Sequence, residues 1–145
     1  MDVVTDEVKQ VVNIKKISIV AGLFNILGVL IFSLGFTNPY LAKFSPNIFS
    51  SFGLLLIMLW GLAYIVAGYG EVNAGLYGVF ALEKALYFLT WWGWMMEHAY
   101  QLGYVYHQSA MAGIFYALYG PIDLLFGVYF FSVMLKYWHA APSTR

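Results

Sequence analysis

The stretch Gly75–Trp94, GLYGVFALEKALYFLTWWGW, decides how this chain is read. A bilayer core about 30 Å thick takes roughly 20 helical residues, and this stretch is long and apolar enough to cross one. Yet Glu83 and Lys84 stand side by side near its middle. A third charged residue, Asp123, stands in the middle of the next apolar run. Charges at such depth are costly, so they are normally paired, hydrated or used.

Working outward, the composition agrees with lipid as the solvent. Of 145 residues, 62% are hydrophobic, 20% aromatic and only 10% charged. A soluble domain has about 25% charged residues, and the mean hydropathy here is +0.75. The length allows one transmembrane domain over 1–145 and no second domain. Seven basic and seven acidic residues cancel. The basic ones are scattered, which speaks against a nucleic-acid partner. With no cysteine, disulfides, thiolate catalysis and cysteine metal sites are excluded. The first apolar run follows a charged head but lacks a small-residue cleavage pattern, so it reads as a retained anchor rather than a signal peptide.

Apolar periodicity predicts four spans, over about 17–36, 48–69, 76–96 and 111–136, forming an all-α antiparallel four-helix transmembrane bundle. Residues 1–16 mix charges with valines and read as a short interfacial helix or a solvated leader. In the first span Ser18, Gly22, Asn25 and Gly28 form one small, polar stripe suited to close helix approach. In the second, Gly53, Trp60, Gly61, Tyr64 and Gly68 fall roughly on one face. The segment 37–47 holds Pro39 and Pro46 and reads as a loop. GYGEVNAG predicts a tight return between spans two and three. Trp91, Trp92 and Trp94 read as an aromatic belt. The polar, tyrosine-rich stretch 97–110 reads as a loop or an interfacial turn of helix. In the fourth span Gly120-Pro121 predicts an interruption, with the Ala117 carbonyl freed and the helix kinked. The tail YWHAAPSTR is expected to return to water. Lys9, Lys15, Lys16, Lys136 and Arg145 lie at the two ends, and Lys43 in the opposite loops. Both termini are therefore expected on the cytoplasmic side, in a bacterial inner membrane.

Helical rise places Asn25, Glu83 and Lys84 at nearly one depth, with Asp123 roughly 6 Å away. A lysine stem covers that gap. Side chains lean toward the N-terminus of their helix, so Lys84 and Asp123 lean apart, and a water or a tyrosine hydroxyl is expected between them. Tyr87 follows Glu83 by four residues and Tyr119 precedes Asp123 by four. The candidate binding set is therefore Asn25, Glu83, Lys84, Tyr87, Tyr119 and Asp123. Two readings compete. One is a structural clasp that neutralises charge and fixes register, in a dry, fully paired layer. The other is a site for a proton, an ion or a polar head, in an open, wet pocket reaching Asp123.

Other constellations are weaker. His98 and His107 are nine residues apart, not the three or four that aim two ligands at one ion from a helix. No histidine lies within a predicted span, so haem ligation is not expected, and neither a metal nor another cofactor is assigned. The tryptophans with Tyr100, Tyr104 and Tyr106 could cage a cation or a quinone, but an interfacial belt explains them as well. No serine-histidine-aspartate order, phosphate loop, dinucleotide turn or zinc-protease helix is present.

The stretch Ala21-Gly22-Leu23-Phe24-Asn25, with Lys84 in the third span and Asp123 in the fourth, resembles a loose pattern of small bacterial four-span membrane proteins without an assigned function. Glu83 and the aromatic stretch 97–110 depart from that pattern. By size and span count the chain is also similar to small four-helix membrane proteins associated with quinone-linked oxidoreductases.

These readings favour a non-catalytic accessory or scaffold subunit of a larger membrane assembly, or a homo-oligomer, with the lipid bilayer as its first partner. The alternatives are a binder or carrier of a proton or small amphiphile through the charged layer, and a lipid- or quinone-linked enzyme with Glu83 or Asp123 as acid or base.

Overall fold

The computed structural model describes residues 2–140, and side chains within 4–139. Among the described residues the chain is all-helical, without strands. Its elements are α1 (Asp2–Phe32), α2 (Pro39–Phe44), α3 (Ser51–Tyr69), α4 (Ala74–His98), a 3-10 turn (Ala99–Gln101), α5 (Leu102–Gln108) and α6 (Ala110–Ala140). Three stretches, Val4–Phe32, Ser51–Tyr69 and Ala110–His139, are long and apolar enough to cross a membrane. Helix α4 has 25 residues, about 37 Å, but its central Glu83 and Lys84 lower its apolarity.

Several boundaries differ from the sequence reading. The segment expected as a separate leader is the first half of α1, because no proline or turn signal interrupts it, and Ile14 is buried at 2% exposure. The same helix stops at Phe32, short of the expected residue 36. Leu34, Gly35 and Phe36 adopt left-handed φ values of 51°, 64° and 68°, which ends an α-helix. Ser33 holds that turn. Its hydroxyl accepts from Phe36 N at 2.9 Å, and its carbonyl accepts from Thr37 N and Asn38 N. Within the expected loop 37–47, Asn38 caps α2 by accepting from Tyr40 N, and Pro39 fits the first turn, where no N–H is needed. Helix α3 starts at Ser51 rather than 48, with Ser50 accepting from Gly53 N at 3.1 Å. The stretch 97–110 is helical through most of its length, and Val105 is fully buried.

Gly120-Pro121 does not interrupt the helix as expected. Helix α6 runs through Pro121 from Ala110 to Ala140. The Trp91 indole covers Gly120, where any Cβ would collide with it. Its Nε1 donates to the Tyr116 carbonyl at 2.7 Å. That carbonyl is the one before Ala117, whose own carbonyl has no helical donor because Pro121 lacks an N–H. Of the tail 137–145, expected to return to water, the first four residues continue α6; 141–145, with the basic residue Arg145, lie outside the described residues.

The long helices pack as antiparallel pairs. On α1 and α3, a Cβ on Gly61 would lie 2.8 Å from the Gly22 carbonyl oxygen, and one on Gly68 would lie 2.9 Å from the Lys15 carbonyl oxygen. These glycines let the backbones touch, as the small-residue stripe predicted. On α4 and α6, Gly78 faces Met134 and Gly127 faces Lys84. A Lys136–Gln10 hydrogen bond joins the end of α6 to the start of α1.

Two buried clusters result. One, around Ile14, Tyr64, Tyr77, Phe80 and Phe130, fills the end near the helix termini. The other, around Phe49, Trp94, Val105, Phe115 and Tyr116, fills the opposite end. Trp94 belongs to that cluster and stacks on His98, so of the three tryptophans only Trp92 faces outward. The charged residues lie between the two clusters.

Candidate functional site

Four helices each contribute to the polar layer. From α4, Lys84 reaches across and places its Nζ 2.6 Å from Asp123 Oδ1 on α6. The same Nζ donates to Asn25 Oδ1 on α1 at 3.0 Å. Glu83 Oε2 stands 3.8 Å away, and the Tyr64 ring centre lies 5.2 Å away. Lys84 is 2% exposed, so these neighbours replace its water. A buried ammonium persists only with such compensation.

Asn25 links three helices. Its Nδ2 donates to the Ile57 carbonyl on α3 at 3.2 Å, while its Oδ1 faces Lys84. The network fixes the amide orientation, because the atom toward an ammonium must accept and the atom toward a carbonyl must donate. Tyr64, from α3, donates its hydroxyl to Glu83 Oε2. Each carboxylate therefore has one oxygen engaged.

The direct Lys84–Asp123 contact corrects the expectation of an intervening water or tyrosine. The opposed lean of the two Cβ bonds acts over one bond, and the flexible lysine stem overrides it. Gly127 makes room, since a Cβ there would come within 3.1 Å of the Lys84 Cβ.

Beside this layer is a cavity of about 190 Å³ between α1 and α6. Asn25, Glu83, Lys84 and Asp123 form its polar wall, and Tyr87 and Tyr119 line it with Phe32, Phe49 and Phe115. Two ring pairs bridge α1 and α6 on either side of it, Phe24–Phe126 at 5.8 Å and Phe32–Phe115 at 5.6 Å. Phe24 and Leu118, also in the lining, are half exposed, at 52% and 47%. The cavity therefore opens sideways between the two helices. Gly28 lines it too, and a Cβ there would meet nothing within 4 Å. The sequence reading placed Gly28 in the packing stripe. Its space is instead part of the cavity.

The structure brings Asn25, Glu83, Lys84 and Asp123 into one contact network. Tyr87 and Tyr119 join them only as cavity lining, and among the described residues neither hydroxyl bonds to the charged groups. Two participants were missed. Tyr64 was placed on a helix face with glycines, and one of twelve tyrosines offers no other signal. Gly28 had the spacing of a packing residue.

No family model, curated protein or solved structure matches the chain. Its chemistry rests on its own geometry. That geometry offers two carboxyl groups, one ammonium, one amide and three phenols, beside an apolar space open to the flank of the molecule. His98, by contrast, pairs with the Trp94 carbonyl at 3.2 Å. Among the described residues no three potential metal ligands gather.

Proposed function

We propose that this chain is a four-span membrane protein whose cavity takes the polar head of a small amphiphile entering sideways from the lipid. The observation that carries the reading is the continuity of the charged layer with a cavity open between α1 and α6. Apolar ligands partition into lipid, and a polar wall at mid-depth selects a head group there. The paired charges hold the wall in place, so the clasp and the site are one device.

The fourth span in this reading is α4. It packs antiparallel to α6, and its two charges are 5% and 2% exposed. The four long helices then form an antiparallel bundle. Both termini lie on the cytoplasmic side, in a bacterial inner membrane. This is supported by Lys9, Lys15, Lys16 and Lys136 at the end where α1 begins and α6 finishes, against Lys43 at the other. Basic residues near span ends favour the cytoplasm.

The test compares small molecules bound to the purified protein and to a Gly28→Leu variant, by mass spectrometry of the denatured extract. The reading expects an amphiphile enriched on the wild type and depleted on the variant. Identical profiles would count against it.

A second reading, an accessory subunit, is favoured by a groove of about 560 Å³ along α4 and α6. Gly78, Ala81, Ala85 and Gly127 line it, flanked by exposed Leu82 and Val128. Small residues admit a partner helix closely. Native-gel migration as a free monomer or homodimer only would sink this reading.

A further inference from the structure

We propose that the cavity binds an organic cation with a hydrophobic body, in exchange for a proton. This rests on the cavity reading above and names its ligand class.

Charge is the first argument. Glu83 and Asp123 face the cavity with one ammonium, that of Lys84, between them. Among the described residues no other titratable cation lines it: α1 contributes Asn25, α4 adds Tyr87 and α6 adds Tyr119, while Tyr64 from α3 bonds Glu83. One carboxyl group is therefore left without a counter-charge. In a low-dielectric space it must take up a proton or a cation. An anion would add to the uncompensated charge.

The second argument is the pattern of free atoms. The Lys84 ammonium is already held by Asn25 Oδ1 and Asp123 Oδ1, with Glu83 Oε2 beyond. Among the described residues, Glu83 Oε1 and Asp123 Oδ2 accept no hydrogen bond. They are not sealed away either, for among the described residues the one buried side-chain polar atom without a partner is Trp94 Nε1. Both residues line the cavity, so it is bordered by carboxyl groups with spare acceptors, and their cation is taken. The hydroxyls of Tyr87 and Tyr119 serve either role. The third argument is the lining. Phe24, Phe32, Phe49 and Phe115 offer ring faces and edges to an apolar body, and ring faces attract cations.

The exchange balances simply. The carboxyl O–H gives its proton to water, and the ligand cation replaces it beside the same oxygen.

Three ligands of equal chain length test the proposal: decylammonium, decanoate and decanol, each titrated onto the full-length protein in a mild detergent at pH 7.5. Decylammonium should bind saturably, one per chain, at least tenfold more tightly than the other two. In weak buffer its binding should release up to one proton per chain. Gly28→Leu, which fills the cavity, should abolish this binding while the helical signal stays. Decanoate binding as tightly or more tightly would overturn the cation assignment and leave the cavity reading intact. Equal binding of all three would do the same, since the head would not be read. Decylammonium binding without proton release would overturn the exchange. If none of the three bound saturably, both the cation proposal and the cavity reading would fall.

Discussion

The Lys84 ammonium lies 2.6 Å from the Asp123 carboxylate across two helices that run in opposite directions. Side chains lean toward the N-terminus of their helix, which turns these two apart, and Gly127 leaves room at the start of the lysine stem, where a Cβ would come within 3.1 Å of the Lys84 Cβ. With Asn25 as its other partner, this pair ties α1, α4 and α6 together between two apolar clusters.

Removing one partner should be costly. Lys84→Met leaves two carboxyl groups facing each other without the ammonium. Breaking a buried pair from one side costs about 3–5 kcal/mol. A thermal unfolding scan in detergent should show a large fall in midpoint. Combining Lys84→Met with Asp123→Asn should recover part of it, because the second change removes the stranded charge. If Lys84→Met alone left the midpoint unchanged, the layer would not be holding the helices together.

Tyr64→Phe should lower stability by about 1–3 kcal/mol, the cost of leaving a buried acceptor without its donor. The ring remains, so its packing on Phe80 and Phe130 is retained. An unfolding midpoint equal to wild type would mean that water replaces the hydroxyl beside Glu83.

Two glycines on one side of the molecule should behave in opposite ways. Gly61→Ala forces a methyl against the Gly22 carbonyl and the Asn25 Cβ, and such overpacking costs about 1–3 kcal/mol. Gly28→Ala meets nothing and gains helix propensity of up to about 1 kcal/mol. The pair of midpoints checks this directly. A destabilising Gly28→Ala would show that the space beside Gly28 is closed.

Pro121→Ala should raise the unfolding midpoint. It supplies an N–H to the Ala117 carbonyl in a helix that already runs on past this point. A lowered midpoint would show that a bend at Pro121 is needed to seat Trp91 on Gly120.

Much of this was legible in the sequence because charge in an apolar run is conspicuous. Glu83, Lys84 and Asp123 stood out for that reason and Asn25 for its place in a small, polar stripe, and rise per residue placed them at similar depth. The glycine faces of α1 and α3 followed from spacing, though not that they meet each other. What escaped depended on neighbours. Pro121 marks a break by local rules, yet α6 runs through it, with Trp91, 30 residues earlier, packed on Gly120 beside it. The polarity of 97–110 hid a helix whose one fully buried residue is Val105. Tyr64 sits on a face that reads as packing, and its hydroxyl matters only because Glu83 arrives opposite. Gly28 shares the spacing of Gly22, yet α3 lies against one and a cavity against the other.

The central claim is that α4 crosses the bilayer with its charges buried at mid-depth. The chain has no native cysteine, so a single spin label at Leu86→Cys reports from one place. Leu86 is 58% exposed and lies next to the charged turn, on the outward side of α4. In reconstituted membranes, electron paramagnetic resonance should find this label open to oxygen and closed to a water-soluble nickel relaxant. Strong relaxation by nickel would place α4 in water and contradict the account.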